Sequence, residues 1–169
     1  MTLQLRPYEP GDARHIVAWL KDEFAFRQWS ADRYDSYPIV PEDVNAYYEN
    51  AKKEDGIFCM TAVDGAGVIG HFTLRFPRKA DKSEARLGFV IVDDKKRGKG
   101  YGKQMVRLAV QYAFDVLNVQ KVSLGVFENN APAIGCYEAC GFRKVHLEQA
   151  EQYLCMGQRW KCMEMQLEK

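Results

Sequence analysis

No stretch of the 169-residue chain approaches the roughly 20 consecutive apolar residues that crossing a bilayer requires. The first residues, Met1 to Pro10, lack the basic-then-apolar layout of a signal peptide, so a cytoplasmic protein with no membrane partner is expected. There is no C-x-x-C pair among the five cysteines, and an odd count argues against a disulfide framework. Cys136 and Cys140 are four apart on an expected helix, but no His or second cysteine pair lies near enough in sequence to complete a ligand set. Reduced thiols and no metal are expected. Charge of one sign is not in excess either: 24 Lys and Arg face 23 Asp and Glu, a net +1 that removes the usual reason to expect bulk attraction to nucleic acid. Repeats, low-complexity tracts and linkers are absent, so residues 1–169 are expected to form one domain. That length buries a core without staples.

What is present alternates between the two periodicities of secondary structure. A short strand is expected at Thr2 to Leu5, followed by helices. Gly11-Asp12 opens one with Ile16, Val17 and Leu20 on its apolar face, and Pro41-Glu42-Asp43 suits the first turn of another. From Ile57 the pattern becomes strand-like, with Ile57 to Val63 and Val68 to Phe76 flanking the turn Asp64-Gly65-Ala66-Gly67. Glu84 to Val92 reads as a third strand running into a basic, glycine-rich loop. A long helix from about Gly100 to Leu117 follows, then a strand through Val122, Leu124 and Val126. Asn130 is a candidate N-cap of a short helix with Pro132 in its first turn and Gly141 at its end. Strands near Phe142 to Leu147 and Trp160 to Leu167 complete a mixed α/β chain.

The loop Arg97-Gly98-Lys99-Gly100-Tyr101-Gly102-Lys103 sits where backbone N–H groups and a helix dipole can both face a phosphate. With Lys95 and Lys96 it gathers five basic side chains, which suits a ligand carrying several phosphates. It is not a P-loop, because the positions that should hold the first glycine and the Ser or Thr are Arg97 and Gln104. Nor does it satisfy the dinucleotide fingerprint, which would need glycine where Lys103 stands.

Taken together, Arg97-x-x-Gly100-x-Gly102 at the start of a helix and Asn130-x-x-Ala133-x-x-x-Tyr137-Glu138-x-x-Gly141-Phe142 some thirty residues later resemble the GNAT superfamily of N-acetyltransferases. The likeness is strongest over residues 84 to 147. It implies a central, mostly antiparallel sheet with two splayed parallel strands and flanking helices. It also implies acetyl-CoA as donor and acetyl transfer to a small-molecule or peptide amine in a ternary complex. The pantetheine arm would pair with Val90, Ile91 and Val92, and the pyrophosphate would rest on Arg97, Gly98, Lys99, Gly100, Tyr101, Gly102 and Lys103. Asn130, Ala133 and Tyr137 would line the same coenzyme site.

The chemistry needs a neutral amine, an oxyanion site and a proton for the departing thiolate. The resemblance points to a backbone amide near Ile91 or Val92 for the oxyanion and to Tyr137 as the acid, although Tyr137 also shares an apolar face with Ala133 and Ile134. Glu84 is the candidate base and equally a strand-end carboxylate; Glu128 is the reserve. An acetyl-cysteine route through Cys136 is disfavoured, since no His partner is evident. Residues 1–60 hold 11 acidic and 7 basic side chains, so Asp22, Glu23, Asp32 and Asp35, with Trp29 and Tyr34 as walls, could receive a cationic acceptor. The alternative function is a non-catalytic acyl-CoA sensor. The last strand has one apolar face and could stay at home or serve a homodimer.

Overall fold

The computed structural model describes residues 2–169, apart from the side chain of Asp55. Strands β1 (Gln4–Pro7), β2 (Phe58–Asp64), β3 (Gly67–Arg75), β4 (Glu84–Val92), β5 (Lys121–Phe127), β6 (Arg143–Val145), β7 (Glu151–Cys155) and β8 (Gln158–Glu168) form one sheet. Its order is β1-β2-β3-β4-β5-β8-β6, with β7 also on β8, and β4–β5 is the parallel pair. Three helices, α1 (Ala13–Trp19), α2 (Glu23–Ser30) and α3 (Pro41–Asp55), separate β1 from β2. Helices α4 (Tyr101–Asp115) and α5 (Ala131–Ala139) flank β5 in sequence.

Each helical group covers its own core. Met105, Val106, Ala109 and Ala113 of α4 pack on Phe72, Leu74, Leu87 and Leu124. On the opposite side, Ile16, Phe26, Val44 and Tyr48 from α1–α3 pack with Cys59 and Ile91. Leu87 and Ile91 belong to different cores although they are four apart on one strand, a spacing that would place both on one face of a regular strand. An irregularity between them must reverse the pleat. Arg6 donates two 2.8 Å hydrogen bonds to Asp12, and Thr61 donates a third at 2.7 Å, tying β1 and β2 to the start of α1.

The expected hairpin, third strand, long helix and Asn130-capped helix are all present. Two elements were not foreseen. Helix α2 is only eight residues long, and its start signal is the Asp22 carboxylate accepting from the Ala25 amide at 2.8 Å. Strand β7 turns into β8 through Met156 and Gly157, both at positive φ, and Met carries no such signal in a sequence. Among the described residues, no helix is long and apolar enough to cross a membrane.

Gly70 lets α4 settle on the sheet. A Cβ there would stand 2.6 Å from Met105 Sδ and 2.9 Å from the Ile91 carbonyl oxygen, and the backbone oxygen cannot swing away. Gly70→Ala should therefore lower unfolding stability in urea by about 1–3 kcal/mol, where an exposed substitution costs well under 1.

Candidate active site

The reversal in β4 is a bulge. His71 pairs with Ile91 and Thr73 with Gly88, so two steps along β3 are matched by three along β4. Phe89, inside the bulge, takes φ +49°, a left-handed conformation that costs an aromatic residue about 1–3 kcal/mol. Its surroundings hold it there. Trp29 of α2 donates its indole N–H to the Phe89 carbonyl at 3.0 Å, and the Phe89 ring lies 4.9 Å from Trp29, 5.5 Å from Tyr47 and 5.8 Å from Tyr48.

Beyond the bulge the sheet opens. The β4–β5 ladder covers only Glu84–Arg86 against Lys121–Ser123, so the β5-facing edge of β4 has no partner strand from Leu87 onward. A cleft of about 510 Å³ fills that split, reaching from Arg97, Gly98 and Gly102 past Val90, Ile91 and Val92 to Asn130, Ala133 and Tyr137. A second cavity of about 350 Å³ lies among Tyr47, Thr73, Arg75, Arg86, Phe127 and Tyr153. Gln28, Trp29, Leu87, Gly88, Phe89 and Gly125 line both, so the two meet at the gap between the strands.

The Arg97 end of the first cleft suits an anion. Gly98 at φ +79° and Gly100 at φ +84° alternate around Lys99, and Gly100 is the N-cap of α4, which turns amides and the positive helix end toward one spot. Gly102 forms the adjacent wall, where a Cβ would sit 3.7 Å from Cys136 Sγ, an ordinary contact. A nucleotide-bearing thioester such as acetyl-CoA fits this arrangement: an anion cradle at one end and a free strand edge leading inward. Four of the expected coenzyme residues, Lys99, Gly100, Tyr101 and Lys103, do not line the cleft. Tyr101 turns away, with its hydroxyl 3.4 Å from Asp64 and its ring 5.9 Å from Lys96 Nζ.

At the inner end, Asn130 caps α5 by accepting from the Ala133 amide at 3.4 Å. Tyr137, 7% exposed, leans on Phe142 with ring centroids 5.9 Å apart, and its hydroxyl has no hydrogen-bond partner among the described residues. Burial pushes its phenol well above the ordinary tyrosine range, and the neighbouring Cys136 and Cys140 add to the shift. Burial likewise pushes the Cys136 thiol up to about 11, leaving it protonated at neutral pH and a poor nucleophile.

The structure places Glu84 in an ion-pair network away from both cavities. Its Oε2 accepts from Ser123 Oγ at 2.6 Å, and its Oε1 lies 3.1 Å from Arg78 and 3.5 Å from Lys121. It lines neither cavity, and seven residues of strand, about 23 Å, separate it from Ile91. Burial alone would raise its pKa, but Ser123, Lys121 and Arg78 outweigh burial and hold it below the usual carboxylate range. Glu128 is exposed and lines neither cavity. The acidic side chains expected around an acceptor are also elsewhere: Asp22 caps α2, Glu23 lies 4.0 Å from Arg27, Asp32 pairs with Arg33, and Asp35 is exposed. Trp29 does form a wall, with Tyr34 stacked behind it at 6.0 Å. The α2 residues Phe24, Ala25 and Gln28 also line the first cleft, a contribution that went unseen with α2 itself. Among the described residues, no group of three or more His, Cys, Asp or Glu is placed to hold a metal ion.

Known proteins share this architecture. The crystal structure of a spermidine N-acetyltransferase from Vibrio cholerae, in complex with CoA and spermine, superposes with a TM-score of 0.80 over 98% of this chain and 95% of that one, at 22% identity. In sequence, a probable N-acetyltransferase of Bacillus subtilis, YjcK, is 30% identical over 151 residues, covering 85% of this chain and 81% of that protein. The spermidine N(1)-acetyltransferase of Vibrio cholerae serotype O1 is 24% identical over 140 residues, 83% of this chain and 78% of the relative. The acetyltransferase (GNAT) family matches residues 15–142, a span that runs from α1 through the bulged strand and the glycine-rich loop to the end of α5, and to that family this chain belongs.

Proposed function

We propose that the whole chain acts as one catalytic domain that transfers the acetyl group of acetyl-CoA directly to the nitrogen of a small primary amine. The donor occupies the β4–β5 cleft and the acceptor the cavity on the other side of the gap. The observation that carries this reading is the meeting of the two cavities, which share Gly88 and Gly125 on the two strands that part there. Acetyl-CoA supplies an acetyl group activated as a thioester. Amides of Gly98 and Gly102 and the Arg97 guanidinium bind its phosphates, and the free edge of β4 from Val90 to Val92 pairs with its extended arm. Bulge amides near Ile91 and Val92 face the carbonyl oxygen and stabilise the negative charge that develops there.

Tyr137 Oη holds the proton that the departing sulfur takes as the C–S bond breaks and the C–N bond forms. The phenolate then recovers a proton from the acetylated nitrogen. One further proton must leave the acceptor's ammonium beforehand. No described Asp or Glu lines either cavity, so water in the acceptor cavity takes it. Cys136 stays a thiol wall, which supports direct transfer over an acyl-cysteine route. No observation favours a sensor that binds the coenzyme without turnover. Relatives that act on spermidine make a polyamine the first acceptor to consider, yet the acceptor cavity offers no described carboxylate to meet a second ammonium.

Four outcomes test these roles. Tyr137→Phe should lower kcat about 100-fold to 10,000-fold in a thiol-release assay while acetyl-CoA affinity changes less than about threefold. In the wild type, the rate should rise with pH toward the amine's own pKa of about 10, with no earlier fall, because burial keeps Tyr137 protonated. Gly102→Ala should preserve the fold, since its Cβ meets Cys136 Sγ at 3.7 Å, yet weaken acetyl-CoA binding by calorimetry more than about tenfold by filling the approach to the cradle. Glu84→Gln should leave kcat/KM within about twofold but cost about 1–3 kcal/mol of stability at pH 7. Because its carboxyl is held below the usual range, that contribution is present above the unfolded carboxylate pKa and fades as pH falls through the folded one, so the two proteins should converge in acid.

A further inference from the structure

Five elements each contribute one aromatic ring to the acceptor cavity: Trp29 from α2, Tyr47 from α3, Phe89 from β4, Phe127 from β5 and Tyr153 from β7. The rings fall into two groups. The Phe89 ring lies 4.9 Å from Trp29 and 5.5 Å from Tyr47, while Tyr153 stands edge-on to Phe127 at 5.6 Å, on the strands beyond the gap. Ala51, Ile57 and Leu87 add aliphatic surface to the same lining.

The polar side chains of the lining are already engaged. Arg86 donates two 3.0 Å hydrogen bonds to Glu164, a bidentate pair that offsets its charge, and a third of 3.1 Å to Ser123. Arg75 has an interaction of its own, and Arg33 lies 3.3 Å from Asp32 with its guanidinium 5.7 Å over the Tyr153 ring. Ser30 donates to the Phe26 carbonyl at 2.8 Å, and Gln28 to the Asn129 side chain at 3.1 Å. Among the described residues, no Asp or Glu lines this cavity. A ligand therefore finds no uncommitted cation for a carboxylate and no carboxylate for a second ammonium, and any further charge it carried would lose its hydration without compensation. Apolar surface, by contrast, is stabilised with every methylene buried.

We propose that the acceptor is a primary monoamine whose remaining body is apolar and flat, with the amine as its only charged group. This deepens the acetyltransferase reading above and rests on it. The body lies among the five rings, where a planar group gains both contact area and edge-to-face packing, and the amine reaches the gap beside Gly88 and Gly125. Selectivity then grows with the apolar area of the body and falls with each charge added to it.

The test uses the intact protein with saturating acetyl-CoA and follows thiol release along the series from ethylamine to hexylamine, and with phenylethylamine, phenylalanine and spermidine. Each added methylene should raise kcat/KM about twofold to fourfold. Phenylethylamine should exceed ethylamine, phenylalanine and spermidine by about tenfold to a hundredfold. Phenylethanol, which has the same body and no charge, should compete with phenylethylamine. Tyr153→Ala, or Tyr47→Leu should the first variant fail to fold, should shrink the preference for phenylethylamine over ethylamine about threefold to tenfold, with acetyl-CoA affinity by calorimetry within about twofold. A flat alkylamine series, a preference for phenylalanine or spermidine, no competition by phenylethanol, or an unchanged preference in the folded variant would each overturn the proposal, as would turnover of none of these amines by a protein that binds acetyl-CoA. If neither variant folds, the wild-type series decides alone. Absence of acetyl-CoA binding would overturn the acetyltransferase reading itself, a failure that calorimetry separates from the others.

Discussion

Trp29 donates its indole N–H to the carbonyl of Phe89, and that bond joins the helical layer to the one strand residue whose backbone is most costly to hold. A left-handed Phe persists only where its surroundings over-determine it, and here three aromatic rings and the indole bond do so. The consequences spread outward from this point. The extra residue reverses the pleat, so Leu87 serves one core and Ile91 the other. It also turns β4 away from β5 after three paired residues, and the space so opened becomes both the larger cleft and its junction with the second cavity. Catalytic geometry in this chain is thus a by-product of one interrupted ladder.

The same sheet separates two electrostatic tasks. Backbone amides at the start of α4, directed by glycines at positive φ, suit a phosphate. Across the gap, Arg86 at the second cavity belongs to a cross-linked chain: Glu84 to Ser123, Ser123 to Arg86, Arg86 to Glu164. Such a network anchors the Arg86 guanidinium in one orientation beside the gap that the two cavities share. Glu84 belongs to this support, at the closed end of the β4–β5 pair, and contributes rigidity.

Much of the coenzyme half is legible in the chain itself, because the signals there are local. Gly98, Gly100 and Gly102 before a helical period, Asn130 before Pro132, and the alternation of Glu84 to Val92 each specify backbone geometry within a few residues. The acceptor half depends on contacts across long sequence separations, which no local pattern reveals. Trp29 is 60 residues from Phe89, and Arg75 meets Arg86 only through strand register. Helix α2 escaped notice because eight residues give barely two turns of periodicity. The acidity of the first 60 residues misled for a related reason: a count of charges does not say that Asp22 is a cap or that Asp12 is tied to Arg6.

The central claim is that the edge of β4 released by the bulge is where acetyl-CoA lies, and amide hydrogen exchange across the chain tests it most directly. Saturating acetyl-CoA should slow exchange in residues 87–92 and 98–103, with little change in residues 84–86, whose ladder to β5 is already closed. Unaltered exchange in 87–92, with protection appearing elsewhere, would contradict the account.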